Sequence, residues 1–294
     1  MKHIVALVAL AFLLASCAQW KEEFTLTQKT GNGAYNAGFY NDTVGCSVGY
    51  SGVMNYTAEG KKMKTGWFTG INSSACMFGL EMIDEKTFLA CGNRGHVVVT
   101  TDGGEHWGRK GDFGGQEPGQ CRYASFAGRE AGWIASTLKI GETLDLGKTW
   151  TEIPYDQSNG ILLSVCCVAP GKGYAFTHTG SVVKTEDAGK TWVNVGKVVD
   201  PAKVPLRSGM SRLQQIAQLR VSGDTAILAF VNDVAGKATL HVYSSKDGCK
   251  TWVKDFEKPH VLSTVFVSPD MSRITTLNYD KTVTVFKSRS AKRA

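Results

Sequence analysis

One short motif recurs four times along this chain of 294 residues, and it constrains the fold more than any other feature. Each copy reads Thr or Ser, any residue, Asp, any residue, Gly or Cys, any residue, Thr or His, and Trp, beginning at residues 100, 143, 185 and 245. The aspartates follow one another at spacings of 43, 42 and 60 residues. Such spacing indicates a repeat architecture with one supersecondary unit of about 42 residues per copy and one insertion.

The chemistry of this motif, called the box below, is that of a tight turn. Asp accepts hydrogen bonds from N–H groups of its own turn, Gly supplies positive φ, and Trp covers neighbouring strands. A motif restated in every unit serves each unit separately, so we predict structural roles for Asp102, Gly104, Trp107, Asp145, Gly147, Trp150, Asp187, Gly189, Trp192, Asp247 and Trp252. Cys249 stands where the other copies have Gly. We expect Gly248 to supply the positive φ there.

A second element precedes each box and completes the repeat. It is an apolar strand ending in small or polar residues, such as Phe88 to Gly95 or Gly173 to Gly180, followed by a β-rich run into the box. Strand, turn, strand, box and strand is the order expected of a four-stranded propeller blade. Only the stretch from Met210 to Leu219 has a helical period, and it is short.

Counting units predicts an all-β, six-bladed β-propeller of four-stranded antiparallel blades. The units cover about 35–70, 76–115, 121–157, 161–200, 214–257 and 260–288, the first with a degraded box around Thr57, Glu59 and Trp67. The last unit lacks a fourth strand, and we expect the β-like segment from Trp20 to Thr27 to supply it. That pairing closes the ring and removes both sheet edges. A seven-bladed ring is the alternative, if the first unit begins earlier.

The N-terminus predicts export. Residues 1–16 contain a basic start and an apolar run from Ile4 to Leu14, too short for a membrane span and typical of a signal peptide. The sequence from Leu14 to Cys17 resembles the bacterial lipobox, which implies cleavage before Cys17, acylation of Cys17 and a lipid anchor. Residues 17–294 then form one propeller domain. Ala18 favours the outer over the inner membrane, and an ordinary secretory signal is the alternative.

Composition narrows the function classes. The net charge of +7 is spread along the chain without a basic run, so we predict no nucleic-acid partner. Apart from Cys17 there are seven cysteines, with no Cys-x-x-Cys and no clustered His, so we predict neither a metal site nor a cofactor. The adjacent Cys166 and Cys167 lie in a strand pattern and should point to opposite faces, which disfavours a bond between them.

The repeats resemble a known family. Gly45-Cys46-Ser47-Val48-Gly49, Ala90-Cys91-Gly92-Asn93-Arg94-Gly95 and Gly132-Trp133-Ile134-Ala135, each followed by a strand, combine with Thr-x-Asp-x-Gly-x-Thr-Trp as in photosystem II stability/assembly-factor-like repeats. More widely, they resemble the Asp-box (BNR) repeats of sialidases. The closer resemblance implies a non-catalytic scaffold that presents loops to a protein, here an envelope lipoprotein that acts in binding or assembly.

A sialidase-like glycoside hydrolase or a glycan-binding propeller is the alternative. That resemblance implies an Arg-Ile-Pro element, three arginines gripping a carboxylate, and a Tyr paired with Glu. The chain has no Arg-Ile-Pro, and its arginines are scattered. We therefore favour a protein without catalysis.

The propeller geometry also predicts where a partner binds. Boxes lie between the third and fourth strands, so turns after the second strand emerge on the opposite face, where propellers commonly bind ligands. This argument selects Tyr50, Asn93, Arg94, Lys139 and His178. Such a mixed polar surface suits an acidic or polar protein or glycan partner. The competing interpretation is that these residues are only exposed turn positions.

Overall fold

The computed structural model describes residues 20–26, 33–50, 54–57, 64–65, 67–69, 75–113, 120–206, 216–234, 237–259, 262–278 and 280–289. This part of the chain is β-structure with two single 3-10 turns, Asn93–Gly95 and Gln157–Asn159. In chain order the strands are β1 (Trp20–Leu26), β2 (Ala34–Phe39), β3 (Gly45–Gly49), β4 (Met54–Thr57), β5 (Lys64–Thr65), β6 (Trp67–Thr69), β7 (Met77–Met82), β8 (Phe88–Gly92), β9 (His96–Thr100), β10 (His106–Asp112), β11 (Tyr123–Ala127), β12 (Ala131–Ala135), β13 (Ile140–Thr143), β14 (Thr151–Ile153), β15 (Leu162–Ala169), β16 (Lys172–Thr177), β17 (Ser181–Thr185), β18 (Val193–Lys197), β19 (Ala217–Ser222), β20 (Thr225–Val234), β21 (Lys237–Ser245), β22 (Val253–Pro259), β23 (Leu262–Val267), β24 (Arg273–Asn278) and β25 (Val283–Ser288).

These strands form six sheets, so the predicted six-bladed propeller is confirmed and no seventh blade occurs in the described chain. Blade 1 contains β2 to β5, blade 2 contains β7 to β10, and blades 3, 4 and 5 contain β11 to β14, β15 to β18 and β19 to β22. Blade 6 contains β23, β24, β25 and β1. These four strands of each blade are antiparallel to their neighbours.

The predicted closure by the N-terminal segment is also present. Strand β1 pairs antiparallel with β25, with Trp20 opposite Ser288 and Leu26 opposite Val283. The Trp20 indole Nε1 donates a 3.1 Å hydrogen bond to Asp255 of blade 5. The first described strand is therefore held both by its own blade and by the neighbouring one.

One expectation about local structure was wrong. Trp67, assigned to a degraded box of the first unit, lies in β6, which pairs in parallel with β10 as a fifth strand of blade 2. The outer edge of β10 offers unpaired backbone groups, and the connection from blade 1 satisfies them. Ala217 to Leu219, at the end of the short stretch with a helical period, lie in β19 of the fifth predicted unit, where they pair with β20 and are buried. Residues 210–215 and Glu59 lie outside the described residues.

Polar side chains link each blade to the next, five of them from the first strand of a blade and one, Thr275, from the second strand of blade 6. In ring order these links are Asn36 Nδ2 to Phe78 O (3.0 Å), Phe126 N to Glu81 Oε1 (3.2 Å), Cys167 N to Ser125 Oγ (3.1 Å), Leu219 N to Ser164 Oγ (2.9 Å), Val267 N to Gln218 Oε1 (2.5 Å) and Phe39 N to Thr275 Oγ1 (3.1 Å). A buried polar group must be paired, and here the pairing crosses a blade boundary. The six links complete a circuit around the ring axis.

Candidate functional site

The four box turns have the same pattern of hydrogen bonds, each within its own turn. In the first box, Asp102 Oδ1 accepts from the Thr100 hydroxyl at 2.7 Å and from the His106 N–H at 3.0 Å. The Thr100 hydroxyl oxygen in turn accepts from the Gly104 N–H at 3.0 Å. The boxes at Asp145, Asp187 and Asp247 repeat these bonds.

The box tryptophans close the turns. Trp107, Trp150 and Trp252 donate their indole N–H to the carbonyl of the fifth box residue, at 2.9 to 3.1 Å. Trp192 instead donates to Pro154 O in the preceding blade at 2.9 Å. The first three indoles therefore bind within their own turn, and the fourth links two blades.

The carboxylates of these turns are stabilised in their ionised form. Burial raises the pKa of Asp102, but hydrogen bonds from the His106 N–H, the Thr100 hydroxyl and the His106 ring outweigh it and lower the pKa to about 2. Hydrogen bonds from the hydroxyl and N–H of Thr251 lower the pKa of Asp247 to about 2. Both carboxylate oxygens of Asp102 and of Asp247 accept hydrogen bonds from their own turn. This arrangement gives the boxes a structural function.

The box with Cys in place of Gly does not use the substitute we expected. The fourth and fifth residues of every box have positive φ: Gly103 (82°) and Gly104 (96°), Leu146 (57°) and Gly147 (81°), Ala188 (57°) and Gly189 (79°), and Gly248 (72°) and Cys249 (71°). Gly248 therefore occupies its ordinary fourth position, and Cys249 itself adopts the left-handed conformation. Its side chain is fully buried in the hydrophobic core, and that burial offsets the strain.

Three of the predicted binding residues lie together at the junction of blades 1 and 2. Tyr50 is 51% exposed and forms an isolated β-bridge with Cys76. Asn93 accepts from the Cys76 N–H at 2.9 Å and donates its own N–H to Cys76 O at 3.0 Å. Arg94 is exposed beside it with φ 55°. Asn93 therefore shapes the turn, while Tyr50 and Arg94 present their side chains to solvent.

The other two lie on the hairpins of blades 3 and 4 and form a second group. Lys139 pairs with Glu152 at 3.3 Å. His178 Nδ1 accepts the N–H of Ile161 at 2.8 Å, which assigns the proton of a neutral ring to Nε2. Beside them Leu138 and Ile161 are each 43% exposed, and neither was predicted from the sequence.

The ring axis holds an ion pair that sequence reasoning missed. Arg220 in blade 5 donates two hydrogen bonds, at 2.7 and 2.6 Å, to Glu81 across the ring in blade 2. Its Nε donates to Val267 O of blade 6 at 3.1 Å. The two side chains are 6% and 1% exposed. Burial raises the pKa of Glu81, and the charge and hydrogen bonds of Arg220 oppose that rise.

Four other arginines within the described ranges each form a separate contact. Arg109 pairs with Asp112, Arg122 with Gln120, Arg129 with Asp84, and Arg273 with Asp42. Arg207 and Arg212 lie outside the described residues. The described arginines therefore do not converge on one pocket of the kind a sialidase uses to grip a carboxylate.

Metal ligands, disulfides and membrane-spanning helices are absent from the residues that the structure describes. Among these, no group of three His, Cys, Asp or Glu side chains is arranged to hold a metal ion. The seven cysteines from Cys46 onward are free thiols there, including the adjacent Cys166 and Cys167. No helix in this part of the chain has the length and apolar character that crossing a membrane requires.

Radial blades with repeated carboxylate-stabilised turns define an Asp-box β-propeller. The family model described as "Photosynthesis system II assembly factor YCF48" matches residues 62–222, and the chain belongs to this family. It is 36% identical over 103 residues to the photosystem II assembly protein Ycf48 of Synechococcus sp. (strain JA-2-3B'a(2-13)). That match covers 34% of this chain and 31% of the relative, so it spans about a third of the relative's length.

Solved structures extend the similarity in fold to most of the chain. YCF48 from Cyanidioschyzon merolae has a TM-score of 0.57 at 16% identity, covering 92% of this chain and 99% of that one. A structure of YCF48 bound to D1 peptide has a TM-score of 0.54 at 16% identity, with coverages of 92% and 95%. The WD40 repeats of RRP9 reach 0.60 at 8% identity, with coverages of 92% and 98%. At these identities the comparisons show the fold alone.

Proposed function

We propose that this protein is an exported, lipid-anchored propeller without catalytic activity that binds a polypeptide partner in the cell envelope. The partner lies on the hairpin face, which we define as the face carrying Tyr50, Arg94, Leu138, Lys139 and Ile161. Membership of an assembly-factor family supports a binding role. The peptide in the related YCF48 structure supports a polypeptide as the kind of partner.

The observation that carries the proposal is the exposure of large apolar side chains beside a cation on this face. Tyr50, Leu138 and Ile161 are 51%, 43% and 43% exposed although the backbone of each forms a hydrogen bond. Arg94 is exposed and forms no ion pair with any residue that the structure describes. An aromatic ring, aliphatic groups and an arginine together are typical of protein interfaces. The aliphatic groups favour a polypeptide over a glycan.

Site-specific photo-crosslinking in the native envelope tests this binding face. A photoreactive amino acid at Tyr50 should capture one defined partner, and the same residue at Val253, which is 61% exposed after the box of blade 5, should not. Arg94→Glu should lower the yield from position 50 by at least about fivefold, because it reverses the free cation. Lys250→Glu, an equal change of charge on the opposite face, which carries the box turns, is the control. Equal yields from positions 50 and 253, or no effect of Arg94→Glu, would contradict the proposal.

The anchor is tested separately. Cys17 and residues 1–16 lie outside the described residues, and the proposal for them rests on the sequence from Leu14 to Cys17. Cys17→Ala should abolish incorporation of labelled palmitate and move the protein from the membrane fraction to the periplasm. Export with an unchanged palmitate signal in Cys17→Ala would refute lipidation at this residue. Separating inner from outer membranes on a density gradient then tests the preference for the outer membrane.

A further inference from the structure

The N-terminal strand enters the ring at a defined end of blade 6. Strand β1 is the outer strand of this blade, and its first residue, Trp20, pairs with Ser288 at the end of β25. The Ser288 N–H donates to Ser272 O at 2.9 Å. Ser272 belongs to the turn between β23 and β24. Trp20 therefore lies at the end of the blade where its first and second strands are joined.

That end of the blade lies on the face opposite the hairpin face. In blades 2 to 5 the box turns lie at the same ends of the strands as the turns between first and second strands, because neighbouring strands are antiparallel. We call this side, which carries the boxes beginning at residues 100, 143, 185 and 245, the box face. The turns between second and third strands, which carry Arg94 and Lys139, lie on the other side. Trp20 therefore marks the box face at the rim of blade 6.

Trp20 is held in place by three contacts. Its backbone pairs with β25, and its indole Nε1 donates to Asp255 Oδ2 of blade 5 at 3.1 Å. Its ring lies 6.5 Å from the ring of Phe256, measured between centroids. Only 9% of the residue is exposed. The chain that precedes Trp20 therefore starts from a fixed point of the ring.

The distance between this point and the proposed anchor is short. Cys17 precedes Trp20 by three residues and lies outside the described residues, and three residues span at most about 11 Å when fully extended. From Trp20 to the hairpin end of blade 6, the strand Val283–Ser288 extends about 17 Å. A lipid on Cys17 can therefore reach a bilayer beside the box face, but it cannot reach one that lies against the hairpin face.

We propose that the ring sits on the membrane with the box face of blades 5 and 6 next to the lipid surface and the hairpin face turned away from it. This orientation rests on the lipid anchor of the proposed function. It adds the kind of partner segment that the hairpin face meets, which is a polypeptide in the aqueous phase beyond the lipid headgroups. A segment buried in the bilayer does not reach Tyr50 or Arg94 in this orientation.

Fluorescence quenching of the full-length, lipid-modified protein tests the orientation. The protein is reconstituted into phosphatidylcholine vesicles that carry a nitroxide quencher on the headgroup, with one fluorophore attached at Lys250→Cys or at Tyr50→Cys. Lys250 lies in the box of blade 5 and Tyr50 at the hairpin of blade 1, so the two positions flank blade 6 on opposite faces. Of the seven described cysteines, Cys76 alone is partly exposed, and Cys76→Ser is the common background.

The fluorophore at position 250 should be quenched at least about threefold more than the one at position 50, because about 17 Å of strand separates the two faces. A Gly-Ser spacer of about twelve residues between Gln19 and Trp20 raises the root-mean-square reach of the tether to about 20 Å and should bring the ratio close to one. The spacer lies before the first described strand, and an unchanged urea midpoint would show that the ring is intact.

Cys17→Ala in the same background is the control for membrane attachment and should show no quenching at either position. Wild type without the palmitate label would overturn the anchor and this orientation with it. Palmitate-labelled protein with equal quenching at the two positions, or with stronger quenching at position 50, would overturn the orientation and leave the anchor standing. A ratio that the spacer does not change would show that the short tether does not set the orientation, which also overturns the inference.

Discussion

Single aspartates stabilise the box turns through hydrogen bonds that need a charged acceptor. Asp102 accepts from one backbone N–H, one hydroxyl and one imidazole nitrogen, all within the same turn. Its carboxylate is partly exposed, so solvent screens each of these contacts. One box therefore contributes modestly to the free energy of unfolding. The pH dependence of that contribution distinguishes it from other effects of a substitution.

We predict that Asp102→Asn lowers the free energy of unfolding by about 1 kcal/mol near neutral pH. The folded pKa of about 2 lies below the unfolded value of about 3.9, so the stabilisation is complete above pH about 4. It is lost as the pH falls towards 2. In urea unfolding at pH 6, 4 and 2.5, the difference in free energy of unfolding between wild type and Asp102→Asn should therefore become smaller as the pH falls. Glu105→Gln, an exposed acid of the same box outside this network, should show no such trend. A gap independent of pH would contradict the argument.

The turn chemistry of the boxes and the ring could be predicted from the sequence because both depend on local patterns. Asp, Gly and Trp recur at fixed offsets, and the unit length fixes the number of blades. The left-handed conformation of Cys249 could not be predicted, since Gly248 offered an easier alternative and tertiary burial decided. The Glu81 and Arg220 pair joins residues 139 apart, so no local pattern connects them. Its only sequence signal is a charged residue inside each of two buried strands, β7 and β19.

Among the elements, β1 has the largest effect on closure. It supplies the outer strand of blade 6, and its Trp20 reaches blade 5 by a hydrogen bond to Asp255 and by ring contact with Phe256 at 6.5 Å. Burial raises the pKa of Asp255, and the Ser244 hydroxyl and the Trp20 N–H oppose that rise. The strand therefore provides a donor that a buried carboxyl needs.

We predict that Trp20→Phe destabilises the protein by about 1.5 to 3 kcal/mol, the usual worth of a hydrogen bond to a charged group. The phenyl ring keeps most of the apolar contact, so the loss measures the N–H. Lys21→Ala, at the exposed neighbouring position, should change the free energy of unfolding by less than about 0.5 kcal/mol. The Trp20→Phe variant should also become more sensitive to trypsin near β1. A variant as stable as wild type would show that the closure depends on strand pairing alone.

At the scale of the whole molecule, the ring is held across its axis as well as around its circumference. The hydrogen bonds between neighbouring blades run around the ring, whereas the pair of Arg220 with Glu81 connects opposite blades. Phe126 and Val267 add backbone bonds from two further blades to the same pair. Four of the six blades thus meet at one buried ion pair. Removing one partner leaves the charge of the other buried on the axis without a counter-charge.

We predict that Arg220→Met costs about 3 to 5 kcal/mol, because it leaves the Glu81 carboxyl buried without its counter-charge. Loss of the guanidinium raises the pKa of Glu81 further, so the folded variant binds a proton that the unfolded chain releases above its ordinary pKa of about 4.3. Its stability should therefore fall as the pH rises, and the gap to wild type should be larger at pH 8 than at pH 5.

The double variant Glu81→Gln with Arg220→Met should recover part of the stability and lose the pH dependence, since no buried charge remains. Urea unfolding of wild type, both single variants and the double variant at the two pH values gives the coupling energy of the pair. A coupling below about 1 kcal/mol, or a penalty in Arg220→Met that does not change with pH, would show that the ring is held by its neighbour links without the axial pair.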